Sequence, residues 1–164
     1  MRIRPAIVAD TAAIEALLRA SYPDLMRGAY PEAVLKQALP LMIRANPSLI
    51  ASGRYHVALG DAGDIIASGG WSLERPGSGD VVPGLAHIRH FAVHPGHLRR
   101  GLARAIFERC HMEAAAAGAE RFECYASLNA APFYAALGFQ EIRPFPVELR
   151  PGLIFPSLLM VRPI

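Results

Sequence analysis

The most informative segment of this chain is Phe91-Ala92-Val93-His94-Pro95-Gly96-His97-Leu98-Arg99-Arg100-Gly101-Leu102-Ala103-Arg104. Its first residues favour a strand, and the residues after Pro95 favour a helix that begins near Gly101. A helix N-terminus presents unpaired N–H groups and the positive end of the helix dipole, and a glycine there lets the backbone approach a ligand closely. The stretch therefore predicts a loop that binds a pyrophosphate.

Two other phosphate-binding motifs do not fit this stretch. No Lys-Ser or Lys-Thr pair follows Gly101, as a P-loop requires. One glycine also cannot form the Gly-x-Gly-x-x-Gly motif of dinucleotide-binding domains. The remaining alternative to a phosphate site is an ordinary helix start whose arginines are solvated.

The N-terminal part of the chain predicts two helices. Asp10 is expected to cap the first helix, which should end at Tyr22-Pro23. A second helix is expected from about residue 32 to residue 45, and Pro40 should kink or divide it. A bulge or a close backbone approach is expected further along the chain at Gly69-Gly70.

Strands and helices alternate through the rest of the chain. Strands are expected at residues 55–59, 65–73, 85–93, 120–125, from 139, and at 153–161 with an interruption at Pro156; helices are expected at residues 101–117 and 130–137. This order, together with the length of 164 residues, predicts a single α/β domain over residues 1–164.

Composition and charge exclude several classes of protein. The net charge of +3 comes from 17 basic and 14 acidic residues that are dispersed except around Arg99, Arg100 and Arg104, which disfavours nucleic-acid binding. Cys110 and Cys124 are too few for a disulfide framework or a four-ligand zinc site, so both are expected to be reduced core residues. We expect a cytoplasmic protein without a membrane anchor, because no long apolar run and no secretory signal is present.

Two motifs resemble the signatures of the GCN5-related N-acetyltransferase (GNAT) superfamily. The acetyl-CoA signature of that family is Val-x-Pro followed by Gln/Arg-x-x-Gly-x-Gly/Ala, and here Val93-His94-Pro95 is followed by Leu98-Arg99-Arg100-Gly101-Leu102-Ala103. Leu98 departs from the family pattern at the Gln/Arg position. The second motif runs from Asn129 to Phe133-Tyr134-Ala135-Ala136-Leu137-Gly138-Phe139. The resemblance implies a GNAT fold with a mixed, mostly antiparallel sheet of about six or seven strands flanked by helices.

The resemblance also implies an acetyl-CoA-dependent N-acetyltransferase, in which a primary amine attacks the thioester directly. The alternative is a catalytically silent acyl-CoA-binding module. Asn129 could also be a helix N-cap. The residues expected to bind acetyl-CoA are Phe91, Ala92, Val93, Leu98, Arg99, Arg100, Gly101, Leu102, Ala103, Arg104 and Asn129.

Two residues are candidates for proton transfer in that reaction. The family motif places Tyr134 where it would be the general acid for the CoA thiolate; otherwise it is a core aromatic residue. His87 would deprotonate the acceptor with a pKa between roughly 6 and 7, unless water or Glu123 takes that role. Strand alternation predicts one face with His87, Arg89 and Phe91 and another with Ile88, His90 and Ala92.

Arg89 would either lower the pKa of His87 or bind an acidic group of the substrate.

The sequence also predicts which ligands and partners the protein binds. We expect no metal site, because His87 and His90 would lie on opposite faces of a strand. The acceptor would be a small-molecule or peptide amine, and the apolar residues 153–156 would be core, which we favour, or the surface of a homodimer.

Overall fold

The computed structural model describes residues 1–164 and contains nine strands and five α-helices. The strands are β1 (Arg2–Pro5), β2 (Tyr55–Leu59), β3 (Ile65–Ser72), β4 (Leu85–Val93), β5 (Arg121–Ser127), β6 (Gln140–Pro144), β7 (Val147–Arg150), β8 (Leu153–Phe155) and β9 (Ser157–Pro163). The helices are α1 (Thr11–Met26), α2 (Glu32–Met42), α3 (Pro47–Ala51), α4 (Leu102–Ala116) and α5 (Ala131–Ala136).

Seven of the strands form one mixed sheet in the order β1-β2-β3-β4-β5-β9-β6. Only β4 and β5 pair in parallel, and every other neighbouring pair is antiparallel. β7 and β8 form a separate two-stranded sheet. The prediction of an α/β fold with about six or seven mostly antiparallel strands is confirmed.

The sheet separates two apolar cores. One core lies between the sheet and α4 and includes Trp71, Ile106 and Phe122, and the other packs α1, α2 and α3 on the sheet through residues such as Ile14 and Val57. Burying each large apolar side chain stabilises the fold by about 1.5–3 kcal/mol. Cys110 and Cys124 are both buried and unpaired, as predicted.

Helix α1 does not end at Tyr22-Pro23 as predicted but continues through Pro23 to Met26. A proline inside a helix costs about 3 kcal/mol, because it removes a hydrogen bond and crowds the preceding turn. Tyr22 and Met26 are both buried on the face that packs on the sheet. Burial of these two side chains offsets the cost of the proline, since each contributes about 1.5–3 kcal/mol.

The other N-terminal predictions also need correction. α2 contains Pro40 and ends at Met42 rather than at residue 45, and the short helix α3 was not predicted. Its signal was present in the sequence, because Asn46 caps α3 by accepting a hydrogen bond of 3.1 Å from Leu49 N. Asp10 precedes α1 as expected, but its carboxylate binds Arg4 and the N–H of Ile7 instead of capping the helix.

The single strand predicted over residues 153–161 is two strands in different sheets. Pro156 has no N–H to donate, so the ladder breaks there and the chain passes from β8 to β9. Leu153 and Phe155 are buried, whereas Ile154 between them is 48% exposed. The segment is therefore mainly core, as we favoured.

Candidate active site

The central feature of the site is a gap between β4 and β5. These parallel strands pair only from Leu85↔Arg121 to His87↔Glu123. Beyond that point β4 continues along β3 and β5 continues along β9. The backbone groups that face the gap on residues 88–93 and 124–127 are therefore not used between the two strands, and a ligand can approach them.

A β-bulge in β4 lies at the edge of this gap. Arg89 pairs with Gly70, and Ala92 pairs with Ser68. Two residues of β4, His90 and Phe91, therefore lie opposite one residue of β3, Gly69. His90 occupies the left-handed region with φ of 51°. The bulge shown by this register is on β4, opposite Gly69, rather than at Gly69-Gly70 on β3.

The bulge overturns the predicted alternation of side chains along β4. Ile88 packs in the core beneath α4, and after the bulge Phe91 packs against that same core. Ala92 joins the core on the opposite side. Phe91 therefore does not share a face with His87 and Arg89, because the extra residue shifts the alternation by one position.

Two packing contacts hold the bulge in place. The Tyr55 hydroxyl lies 3.1 Å from the His90 carbonyl oxygen and 2.8 Å from Ser68 Oγ. Burial raises the pKa of Tyr55, so this hydroxyl keeps its proton. Gly69 is required beneath the Phe91 ring, because a Cβ at this position would lie 2.7 Å from the ring. The close backbone approach expected at Gly69-Gly70 is confirmed at Gly70, where a Cβ would clash with the Arg54 carbonyl oxygen.

A cleft of about 830 Å³, here called the large cleft, opens along this side of β4. All eleven residues predicted to bind acetyl-CoA line it: Phe91, Ala92, Val93, Leu98, Arg99, Arg100, Gly101, Leu102, Ala103, Arg104 and Asn129. The structure thus brings together residues from β4, the following loop, the start of α4 and the loop after β5. Their contact with acetyl-CoA remains a prediction.

The start of α4 forms a cradle for an anion. Ala105 N donates the first hydrogen bond of the helix to Gly101 O, at 3.0 Å, so the N–H groups of the three preceding residues have no partner in the protein. Gly101 has φ of 74°, a conformation that disfavours other residues, and a Cβ there would meet only open space. Arg99 also has a positive φ, 61°, which costs about 1–3 kcal/mol and points to a functional constraint on the loop.

Asn129 lines the same large cleft from the loop after β5. Its Oδ1 is buried and has no hydrogen-bond partner. The alternative interpretation of Asn129 as an N-cap is wrong, because Ala130 precedes α5 and no side chain caps that helix. An unsatisfied buried acceptor costs about 1–3 kcal/mol, and a donor from a bound ligand would remove that cost.

A second cavity of about 270 Å³, here called the small cavity, lies in the gap between β4 and β5. The two cavities meet at shared lining residues, which are Tyr22, Met26, Phe91, Ser127, Ala130 and Tyr134. Because Phe91 and Tyr134 line both spaces, this junction is where molecules bound in the two cavities would meet.

Tyr134 is buried among aromatic rings at the junction. Its ring is edge-on to Phe91 at 6.4 Å and to Phe139 at 5.5 Å between centroids. Burial raises the pKa of Tyr134 well above its usual value, and the adjacent Cys124 thiol raises it further. The same burial raises the pKa of Cys124 to about 12. Both groups therefore stay protonated near neutral pH.

His87 does not lie where the catalytic prediction requires. It is 1% exposed and lines neither cavity, so it shares no cavity with Tyr134. Its Nδ1 lies 4.0 Å from Glu123 Oε2, and its Nε2 is buried without a partner. Burial, and then the charges of Arg75 and Arg89, lower the pKa of His87 to about 4. The expected pKa between 6 and 7 is wrong.

Sequence reasoning missed several residues of the site. Tyr22 and Met26 line both cavities because α1 continues past Pro23. Their spacing of four was a usable signal, since i and i+4 share a helix face. Tyr125 lines the small cavity and stacks on Phe145 at 4.1 Å. Nothing local in the sequence predicts that long-range stack.

No group of three or more His, Cys, Asp or Glu side chains is placed to hold a metal ion. No helix has both the length and the apolar character needed to cross a bilayer.

Comparisons with solved structures agree on the fold. A GCN5-related N-acetyltransferase from Rhodopseudomonas palustris matches with a TM-score of 0.75 and 21% identity over 99% of this chain and 95% of its own. PaiA N-acetyltransferase from Thermoplasma acidophilum, in complex with coenzyme A, matches with a TM-score of 0.74 and 12% identity over 99% of this chain and 98% of its own.

A third structure matches only in part of its own length. N-acetylglutamate synthase from Neisseria gonorrhoeae, complexed with coenzyme A and N-acetyl-glutamate, has a TM-score of 0.64 and 18% identity over 99% of this chain but 34% of its own. No match was found among curated protein sequences. The family model described as an acetyltransferase (GNAT) domain matches residues 31–148. Because that match covers most of the chain and both signature motifs, the chain belongs to the GNAT acetyltransferase family.

Proposed function

We propose that this protein transfers the acetyl group of acetyl-CoA to the nitrogen of a small-molecule or peptide primary amine. The observation that carries the proposal is the convergence of eleven predicted cofactor residues on one cleft that meets a second cavity at Tyr134. The coenzyme A in similar GNAT structures supports the choice of acetyl-CoA as the cosubstrate.

The residues of the large cleft fit the parts of acetyl-CoA. The free N–H groups at the start of α4 would bind the pyrophosphate, with Arg99, Arg100 and Arg104 supplying positive charge beside it. Leu98 lacks a polar group but leaves these backbone donors in place. The open edge of β4 at residues 91–93 would accept hydrogen bonds from, and donate them to, the amide arm of the cosubstrate, with Asn129 facing it.

Acetyl-CoA supplies a thioester carbon that an uncharged amine can attack. A C–N bond forms and the C–S bond breaks, so the sulfur leaves with an electron pair and needs a proton. Tyr134 is placed at the junction and holds its proton because burial raises its pKa. We assign Tyr134 as the proton donor to the leaving thiolate, and the proton lost by the amine nitrogen restores the neutral tyrosine through water.

The acceptor amine must lose a proton before it attacks. His87 is sealed from both cavities, and Glu123 is held between His87 and Arg75 at 4.0 and 3.9 Å. Neither side chain lines the space where the amine would bind. We therefore assign this step to water in the small cavity in place of His87.

The proposal is tested by calorimetry with acetyl-CoA and by thiol release with a panel of primary amines. Binding of acetyl-CoA together with amine-dependent release of free thiol is the expected result. Binding without thiol release from any amine would leave the catalytically silent acyl-CoA-binding module. Absence of binding would refute both functions.

A further inference from the structure

Arg89 is a guanidinium without a carboxylate partner. It is half-buried on β4, between His87 and the bulge at His90. Its hydrogen bond within the protein runs from Nη1 to Ser72 Oγ at 2.9 Å. Its Nε and Nη2 have no hydrogen-bond partner in the protein, and no carboxylate oxygen lies within 4.0 Å of the group. The Nε and Nη2 groups of Arg89 are therefore free to donate hydrogen bonds to a ligand.

The unpaired guanidinium of Arg89 lies in mainly apolar surroundings. It lines the small cavity, where 14 of the 19 lining residues are hydrophobic. The other titratable polar groups there are neutral near pH 7, since burial lowers the pKa of His90 to about 4 and raises that of Tyr125. Arg89 is consequently the one charged side chain that lines this cavity.

The acidic residues nearby do not neutralise Arg89 by contact. Burial lowers the pKa of Arg89, and the exposed Glu74 offsets part of this only through its longer-range charge. Glu123 is occupied by Arg75 and His87. An arginine remains charged at any physiological pH, so the cavity contains a partly desolvated positive charge that lacks an anion.

We propose that the acceptor is a primary amine that also carries a carboxylate, that Arg89 binds this carboxylate, and that the apolar body of the acceptor packs in the small cavity. This inference rests on the proposed acetyl transfer. Guanidinium and carboxylate groups match in shape and form paired charge-assisted hydrogen bonds, which are strongest where water is excluded. Apolar α-amino acids are the simplest members of this class.

The position of Arg89 along the strand agrees with such an acceptor. Arg89 and Phe91 flank His90 in the bulge, and Phe91 lines the junction of the two cavities. In an α-amino acid the amine and the carboxylate are attached to one carbon. A carboxylate held by Arg89 therefore keeps the amine close to the junction where the thioester would lie.

The first experiment needs no variant. The wild-type protein loaded with coenzyme A is titrated in a calorimeter with L-leucine, L-methionine and L-phenylalanine, each paired with its decarboxylated amine, and with L-phenylalaninamide. We expect each amino acid to bind at least about tenfold more tightly than the matching compound without a carboxylate, which is the decarboxylated amine or the amide. Equal or weaker binding of all three amino acids would overturn the proposal, whether or not the protein turns over.

The second experiment compares Arg89→Met with Arg109→Met, a matched control. Arg109 is exposed on α4, so its substitution changes the net charge equally without touching either cavity. We expect Arg89→Met to lower kcat/KM for the best amino acid by about 30-fold or more and to leave the decarboxylated amine nearly unaffected. Arg89→Lys should retain part of the preference, because it keeps the charge but loses the planar fork.

The outcomes separate this inference from the proposed function. Thiol release with decarboxylated amines as efficient as with amino acids would confirm acetyl transfer and refute carboxylate recognition. Binding of amino acids without thiol release would support carboxylate recognition and refute acetyl transfer. If Arg89→Met does not fold, as judged by circular dichroism and coenzyme A affinity, the wild-type titration and Arg89→Lys still decide the question.

Discussion

The Tyr30 hydroxyl donates a hydrogen bond of 2.7 Å to the carbonyl oxygen of Pro156, which is 126 residues away along the chain. The same hydroxyl accepts a hydrogen bond of 2.8 Å from the N–H of Leu128. The Tyr30 ring stacks on Phe155 with 4.3 Å between centroids. One side chain thus fixes the loop that precedes Asn129 relative to the β8–β9 junction, which borders the small cavity.

Replacing Tyr30 by phenylalanine should lower the free energy of unfolding by about 1–3 kcal/mol, because two backbone groups lose their partner. The change is measured by urea denaturation. Tyr125→Phe is the control, since the Tyr125 hydroxyl makes no hydrogen bond in the protein, and it should stay within about 0.5 kcal/mol of wild type. Equal stability of Tyr30→Phe and wild type would show that water replaces the missing hydroxyl.

Gly101→Glu should abolish binding of acetyl-CoA. The substitution places a negative charge at the anion cradle and forces a side chain onto a residue with φ of 74°. Gly63→Glu is the matched control, because Gly63 has φ of 84° in a hairpin turn and also has open space around a Cβ. Calorimetry should show binding by Gly63→Glu only, and unchanged affinity of Gly101→Glu would remove the cradle from the site.

Tyr134→Phe should lower kcat by about ten- to a hundredfold and leave KM for acetyl-CoA nearly unchanged, because it removes a proton donor and keeps the ring. Steady-state thiol release measures both constants. Tyr125→Phe, which also alters the small cavity, should keep the wild-type kcat. A wild-type rate in Tyr134→Phe would mean that water protonates the thiolate.

Burial of neutral His87 should make the protein less stable in mild acid. The pKa of His87 is about 4 in the folded protein and 6.5 for an unperturbed histidine, as in the unfolded chain. The unfolded chain therefore binds the proton more readily. The stability that His87 contributes is present above pH 6.5 and is lost as the pH falls towards 4. We expect a loss of roughly 2 kcal/mol from His87 between pH 7.5 and pH 5.

Urea denaturation at pH 7.5 and pH 5 tests this expectation, with His87→Asn as the comparison. The variant should lose less stability than wild type between the two values, while His90, whose pKa is also lowered to about 4, accounts for part of the remaining loss. The pH profile of kcat/KM in His87→Asn should keep the acidic limb of wild type. Disappearance of that limb would restore His87 as the base.

The nucleotide end of the proposed site depends mainly on local sequence. The residues from Phe91 to Arg104 form consecutive local structures, and a helix start presents its free N–H groups wherever the helix lies in the fold. The positive φ of Gly101, which shapes the loop, is a local property that a glycine adopts without help from distant residues. Local rules therefore predicted the phosphate-binding loop and the helix start, whereas the resemblance to the GNAT family supplied Phe91, Ala92, Val93 and Asn129. All of these residues line the large cleft.

The acceptor end of the proposed site depends instead on contacts between segments that are distant in sequence. The bulge at His90 depends on Tyr55 and on the fit of Phe91 over Gly69, contacts that no local pattern reveals. Helix α1 continues beyond Pro23 because its side chains pack on the sheet, and His87 lines neither cavity because it is buried in the core. Alternation and proline rules describe a chain segment in isolation, whereas these outcomes depend on packing energies between segments distant in sequence.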